Sequence, residues 1–178
     1  MKKAIMIFFL LSFANVPSFA QAGFPAINKE SLFRDIKQDT SSAKYFMVAT
    51  FVNYCSGLKE IPRYIDMIDS ITNHQSRFLI CQSSHGTSDR GSDLMKSLER
   101  VGLDKQYVYL IDASKYPTDK KDERKQGRAF RDDICPACQY SVTSGTYYVI
   151  FNRDGIIMYS GYALEPAQMT AILTCNAK

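Results

Sequence analysis

An α/β fold with a mixed central sheet between two helical layers, closed by a β-hairpin and a helix, is what the chain predicts. Three observations carry this. Apolar runs of strand length alternate with stretches of helical periodicity. The run Tyr45 to Val52 is apolar or β-branched at nearly every position, as in a strand covered on both faces. Near the end, Thr146 to Phe151 and Ile156 to Tyr159 flank Asn152-Arg153-Asp154-Gly155, a hairpin signal.

The first twenty residues stand apart from that fold. Lys2 and Lys3 precede the apolar run Ala4 to Phe13, and Ser18-Phe19-Ala20 ends the segment, the pattern of a bacterial-type secretory signal peptide. Cleavage is expected after Ala20 or Ala22, so residues 1–20 are read as a leader and 21–178 as a single domain in the periplasm or secreted. The apolar run is too short to span a bilayer comfortably, and no later stretch of about 20 apolar residues follows, so no membrane span is expected in the mature chain. Loss of the leader leaves 158 of the 178 residues, enough to bury about 70% of the surface the unfolded chain exposes.

The net charge is +4, of which Lys2 and Lys3 supply two. So weak a balance excludes a case for nucleic acid or an anionic membrane as partner. The Lys120 to Arg131 cluster mixes both signs and reads as a solvated helix or loop face.

Taken in order, Leu32, Phe33 and Ile36 place a short helix within 24–37. A polar loop leads to the central strand, and Asn53-Tyr54-Cys55-Ser56-Gly57 makes a turn after it. Leu58, Ile61, Ile65 and Ile68 form the stripe of an amphipathic helix, which Pro62 bends unless the helix starts there. Arg77 to Cys81 is the second strand, and Gln82 to Gly91 a polar loop holding His85. Ser92 or Asp93 caps a helix with Leu94, Met95, Leu98 and Val101 on its apolar face, ended by Gly102. Tyr107 to Ile111 is a third strand, and Asp112 to Asp133 a long polar segment. After the hairpin, Pro166 opens a last helix carrying Met169, Ile172, Leu173 and Cys175.

Five cysteines, at 55, 81, 135, 138 and 175, all lie beyond the leader, where an oxidising compartment lets thiols pair. The odd count leaves at least one free, externally paired or exchanging, and Cys175 is the candidate. Cys55 stands where a helix is expected to begin, a place where unpaired amides and the helix dipole favour a thiolate over a thiol of pKa about 8.5; its bland reading is a buried or structural cysteine. Cys135-Pro136-Ala137-Cys138 has the spacing of a reversible dithiol. Closing four residues stabilises by only ~2 kcal/mol, whereas a Cys55 to Cys135 bridge closing about 81 gives ~4.5 kcal/mol. The short pair therefore favours exchange chemistry over a structural clip. Cys81 ends a strand beside the first and is read equally as a core residue or a partner for Cys55.

The order of elements, with a helix launched from a central strand through a cysteine turn, resembles the thioredoxin-like fold. The branch is that of the periplasmic thiol-disulfide oxidoreductases of the ResA and TlpA type. The resemblance covers most of residues 40 to 175 and rests on Phe46 to Pro62 and on Tyr147 to Gly161. It departs from the family where the usual Trp-Cys-x-x-Cys becomes Tyr54-Cys55-Ser56-Gly57-Leu58, with Leu58 in the position of the second thiol, and where the proline expected before the hairpin is replaced by Thr146 or has no counterpart at all. It implies a loop before the hairpin lying beside the start of the cysteine-bearing helix. Cys135 and Cys138 then face Cys55 in a relay.

The resulting expectation is an exported protein that exchanges disulfides with a protein thiol or disulfide partner through Cys55, Cys135 and Cys138, without cofactor or metal. Two alternatives stand beside it. One is a binding or assembly module that kept the fold and lost catalysis, motivated by Leu58 and the missing proline. The other is copper or zinc handling through Cys135, Cys138 and Cys55 or His85, for which a single Cys-x-x-Cys is thin support.

Overall fold

The structure, a computed structural model, describes residues 23–51, 56–83, 90–117, 124–138, 146–162 and 164–175. The leader and its cleavage positions, Asn53 to Cys55 and His85 lie outside them.

A two-residue strand, β1 (Ala26–Ile27), precedes α1 (Lys29–Gln38). Asn28 caps α1 reciprocally, its side chain accepting from the Ser31 amide while the Ser31 hydroxyl accepts from the Asn28 amide, both at 2.9 Å. The expected helix over 24–37 is thus shorter at its start. β1 is too short for periodicity to reveal.

The central strand β2 (Tyr45–Phe51) is followed by a 3-10 turn, Ser56–Glu60, and then by α2 (Ile61–Ile71). Pro62 lies in the first turn of α2, where its missing N–H costs nothing. The α-helix therefore starts at Ile61 rather than Leu58, and no kink results. β3 (Ser76–Gln82) leads to α3 (Arg90–Val101), which begins ahead of the expected Ser92 or Asp93 cap. Gly102, at φ +71°, ends it in the left-handed conformation that glycine adopts without strain.

A 3-10 turn at Lys105–Tyr107 delivers β4 (Val108–Ile111). The segment expected to be a long polar loop contains α4 (Arg124–Ile134). Its buried face is Gln126, Phe130 and Ile134, one residue per turn with a polar one among them, too sparse a stripe to stand out. β5 (Tyr147–Asn152), β6 (Ile157–Gly161) and α5 (Pro166–Cys175) complete the chain. In the hairpin turn, Asn152 Oδ1 accepts from the amides of Asp154 at 3.0 Å and Ile156 at 2.9 Å, and Gly155 turns at φ +78°.

The six strands form one sheet in the order β1-β4-β3-β2-β5-β6. β1 to β4 run parallel, while β5 is antiparallel to β2 and to β6. Alternate residues of β2 divide the core. Met47, Ala49 and Phe51 face α2, α3 and α5 with Ile61, Ile68, Leu94, Leu98, Met169 and Leu173. Phe46 and Val48 face α1 and α4 with Leu32, Ile36, Phe130 and Ile134. This three-layer arrangement, with two strand-helix-strand units, an antiparallel hairpin and a closing helix, is the architecture expected from the sequence and from its resemblance to the thioredoxin-like fold. No described helix is long and apolar enough to cross a membrane.

Candidate functional site

The carboxyl ends of β2 and β3 meet the amino end of β5 at one edge of the sheet, with Thr50 paired to Cys81 on one side and Tyr147 on the other. The last turn of α4 lies across this edge. Arg131 donates to Thr50 Oγ1 at 3.3 Å, and its guanidinium stands 5.3 Å from the centre of the Tyr147 ring. One turn further on, the Cys135 amide donates to the Arg131 carbonyl at 2.8 Å, and Pro136, which has no N–H, stops the helix. A tight turn, with the Cys138 amide donating to the Cys135 carbonyl at 3.0 Å, brings the two cysteines together in a disulfide. Their Cα atoms are 5.4 Å apart, within the usual range for a bridge.

The Cys-x-x-Cys pair therefore closes the carboxyl end of a helix, not the polar loop expected from the sequence. Cys135 is buried in the α1/α4 half of the core, and Cys138 is half-buried at its rim. Thr50, from whose strand the chain leads towards Cys55, is tied to the same helix end through Arg131.

A buried polar network supports α4 from below. Gln126, wholly buried, accepts from Ser83 Oγ at 2.7 Å and donates to the carbonyls of Ile111 at 3.2 Å and Tyr116 at 2.8 Å. It thereby locks the helix to the ends of β3 and β4. Asp133 accepts from Tyr116 Oη at 2.7 Å and from Lys29 Nζ at 3.1 Å, fastening the last turn of α4 to the start of α1. The Tyr116 hydrogen bond, with Lys29 beside it, outweighs partial burial and holds the Asp133 carboxyl below its ordinary value. Gln82 Oε1 and Thr146 Oγ1, at the same sheet edge, are buried without a hydrogen-bond partner among the described residues.

Nothing in the sequence singles out Arg131, Thr50, Tyr147 or Gln126. Arg131 reads there as part of the solvated charge cluster; the structure turns it towards Thr50 and Tyr147. The spacing Arg131 to Cys135, one helical turn, becomes informative only once α4 is recognised.

Cys81 is a free thiol, wholly buried, and burial pushes its pKa far up. It makes no bridge to Cys55 and stands as the core residue that was its other reading. Cys175 is the last residue of α5; its side chain lies outside what is described. Leu58 is buried in the α2 half of the core. Thr146 precedes β5 at the position of the missing proline, and no described peptide bond is cis. His74 is exposed and pairs with Asp69 at 2.5 Å. Among the described residues no group of three or more His, Cys, Asp or Glu side chains gathers as a metal site requires.

No protein-family model matches the sequence, and no curated protein matches it. Solved structures do resemble the fold. The thioredoxin domain of a thiol-disulfide oxidoreductase from Bacteroides vulgatus is similar at 14% identity and a TM-score of 0.49, over 80% of this chain and 84% of that one. A thiol:disulfide interchange protein from Bacteroides sp. is similar at 12% identity and 0.48, over 76% and 74%. A thioredoxin-like protein from Aeropyrum pernix is similar at 11% identity and 0.44, over 82% and 93%.

Proposed function

We propose that this chain is an exported thiol-disulfide oxidoreductase that exchanges disulfides with a protein partner through the Cys135–Cys138 pair, with Cys55 as the third thiol of the relay. One observation carries the reading. A four-residue disulfide sits at the carboxyl edge of β2, on a helix end anchored to Thr50 and Tyr147 by Arg131. A bridge this short stabilises the fold by only ~2 kcal/mol, and it lies at the sheet edge where α/β folds place their ligands. In the oxidising direction, the partner's two thiols lose two electrons and two protons to the bridge. The partner gains a disulfide, and Cys135 and Cys138 become thiols. The leader-like pattern at residues 1–20 supports export, and the mass of the mature chain tests it.

Equilibration of the folded protein with glutathione redox buffers, followed by alkylation and mass analysis, tests the function. An exchanging pair has a potential between about −120 and −270 mV. A value below about −300 mV marks a structural bridge and ends the proposal.

A second reading has its own observation: Leu58, packed in the core where the family carries its second thiol. On it, the fold serves as a binding or assembly module, and Cys55→Ser and Cys138→Ser leave the cellular role intact. Loss of that role in either variant decides for exchange.

A further inference from the structure

The two sulfurs of the bridge stand in unlike surroundings. Cys135 continues the hydrogen-bonding of α4, is 1% exposed, and lies in a core cluster that includes Phe130, Ile134 and Tyr147. After it, Pro136 and Ala137 carry the chain outward, both exposed, and Cys138 returns only as far as the rim of that cluster.

We infer that Cys138 is the sulfur that exchanges with an outside thiol and that Cys135 is the internal, resolving sulfur. This order rests on the exchange function proposed above. In the oxidised protein, a partner thiolate attacks Cys138 Sγ and forms a bond to it. The Cys135–Cys138 bond breaks, and Cys135 leaves as a thiolate that takes up a proton. The partner's second thiol, deprotonated, then attacks the partner sulfur of the mixed disulfide and releases Cys138, which is protonated in turn. The partner dithiol has become a disulfide, and its two electrons rest on the pair. In the reducing direction, the Cys138 thiolate attacks one sulfur of the partner disulfide, whose other sulfur leaves as a thiolate and takes up a proton; Cys135, deprotonated, then attacks Cys138 Sγ, and the partner's first sulfur leaves and is protonated, so that the partner gains two thiols and the pair its disulfide. Attack on Cys135 from outside is closed by its burial. In the reducing direction the carboxyl end of α4 adds a second bias, because the partial negative charge of the last carbonyls opposes an attacking thiolate at Cys135 more than at Cys138, three residues beyond.

Full-length Cys135→Ser and Cys138→Ser, each retaining one thiol of the pair, are reduced, freed of reductant and treated under native conditions with 5,5′-dithiobis(2-nitrobenzoate), and the adducts are located by peptide mass spectrometry. Cys138 is expected to react at least about tenfold faster in the first variant than Cys135 in the second. In parallel, the native-sequence protein, reduced with dithiothreitol and given limiting iodoacetamide, is expected to be alkylated first at Cys138. That arm holds even if a variant fails to fold. Equal rates, or Cys135 reacting first, overturn the order while leaving exchange standing. A bridge that dithiothreitol cannot open in the folded protein overturns the exchange function and this order with it.

Discussion

Gln126 is the residue on which the seating of α4 depends most directly. It is fully buried, and its amide makes three hydrogen bonds that no apolar side chain can replace. Gln126→Ala leaves the Tyr116 and Ile111 carbonyls and the Ser83 hydroxyl without that partner in a region closed to water. A loss of about 2–4 kcal/mol is expected by urea denaturation. Arg131 predicts a smaller effect with a chemical signature. Arg131→Ala removes the cation–π contact with Tyr147 and the Thr50 hydrogen bond and should cost about 1–2 kcal/mol. Arg131→Lys should recover less than half of this in the same experiment, because a compact, strongly hydrated ammonium lacks the fork of donors with which the guanidinium makes both contacts. Neither residue was legible as important from composition. A glutamine or an arginine within Lys-Gln-Gly-Arg-Ala-Phe-Arg reads as surface until the helix phase is known.

At the scale of elements, the opposite end of β2 is held by a clamp. The buried carboxylate of Asp39, just after α1, accepts from the Ser41 amide at 2.7 Å and from the Ser41 hydroxyl, and it pairs with Arg77 at the start of β3. Arg153 of the hairpin turn donates to the backbone carbonyls of Asp39 and Ser41. Burial pushes the Asp39 carboxyl up, but the hydrogen bonds from Ser41 and Arg77 outweigh it and hold it below its ordinary value of 3.8. A carboxyl depressed on folding contributes stability that is fully present above its unfolded pKa. That stability is lost as pH falls through the folded pKa. Urea midpoints measured from pH 6 down to pH 2 should therefore fall below about pH 4, and Asp39→Asn should be less stable at pH 6 with a shallower acid decline. An unchanged slope in the variant would assign the acid sensitivity to other carboxyls, Asp133 and Asp112 first. The elements are legible in the sequence where burial is two-sided or the stripe is dense, as in β2, α2 and β5. α4 is not, because its inward face offers only Phe130 and Ile134 as apolar residues, and β1 is not, because two residues have no period.

For the whole molecule, the alternation of strands and helices with a closing hairpin was enough to indicate the topology. The displacement of Cys135-Pro136-Ala137-Cys138 from the usual place of such a pair was also visible in the sequence. What the sequence could not supply was the support beneath the pair. The two cysteines end a helix, and that helix is fastened at Gln126, Arg131 and Asp133 to strands or helices distant in the chain. Only tertiary structure brings such groups together. The proposed relay requires the pair on this helix end to come within reach of Cys55, and a disulfide map of Cys135→Ser oxidised while folded tests that requirement. A Cys55–Cys138 bridge is expected as the main product; a Cys138 that stays reduced, or that links only between molecules, refutes the relay.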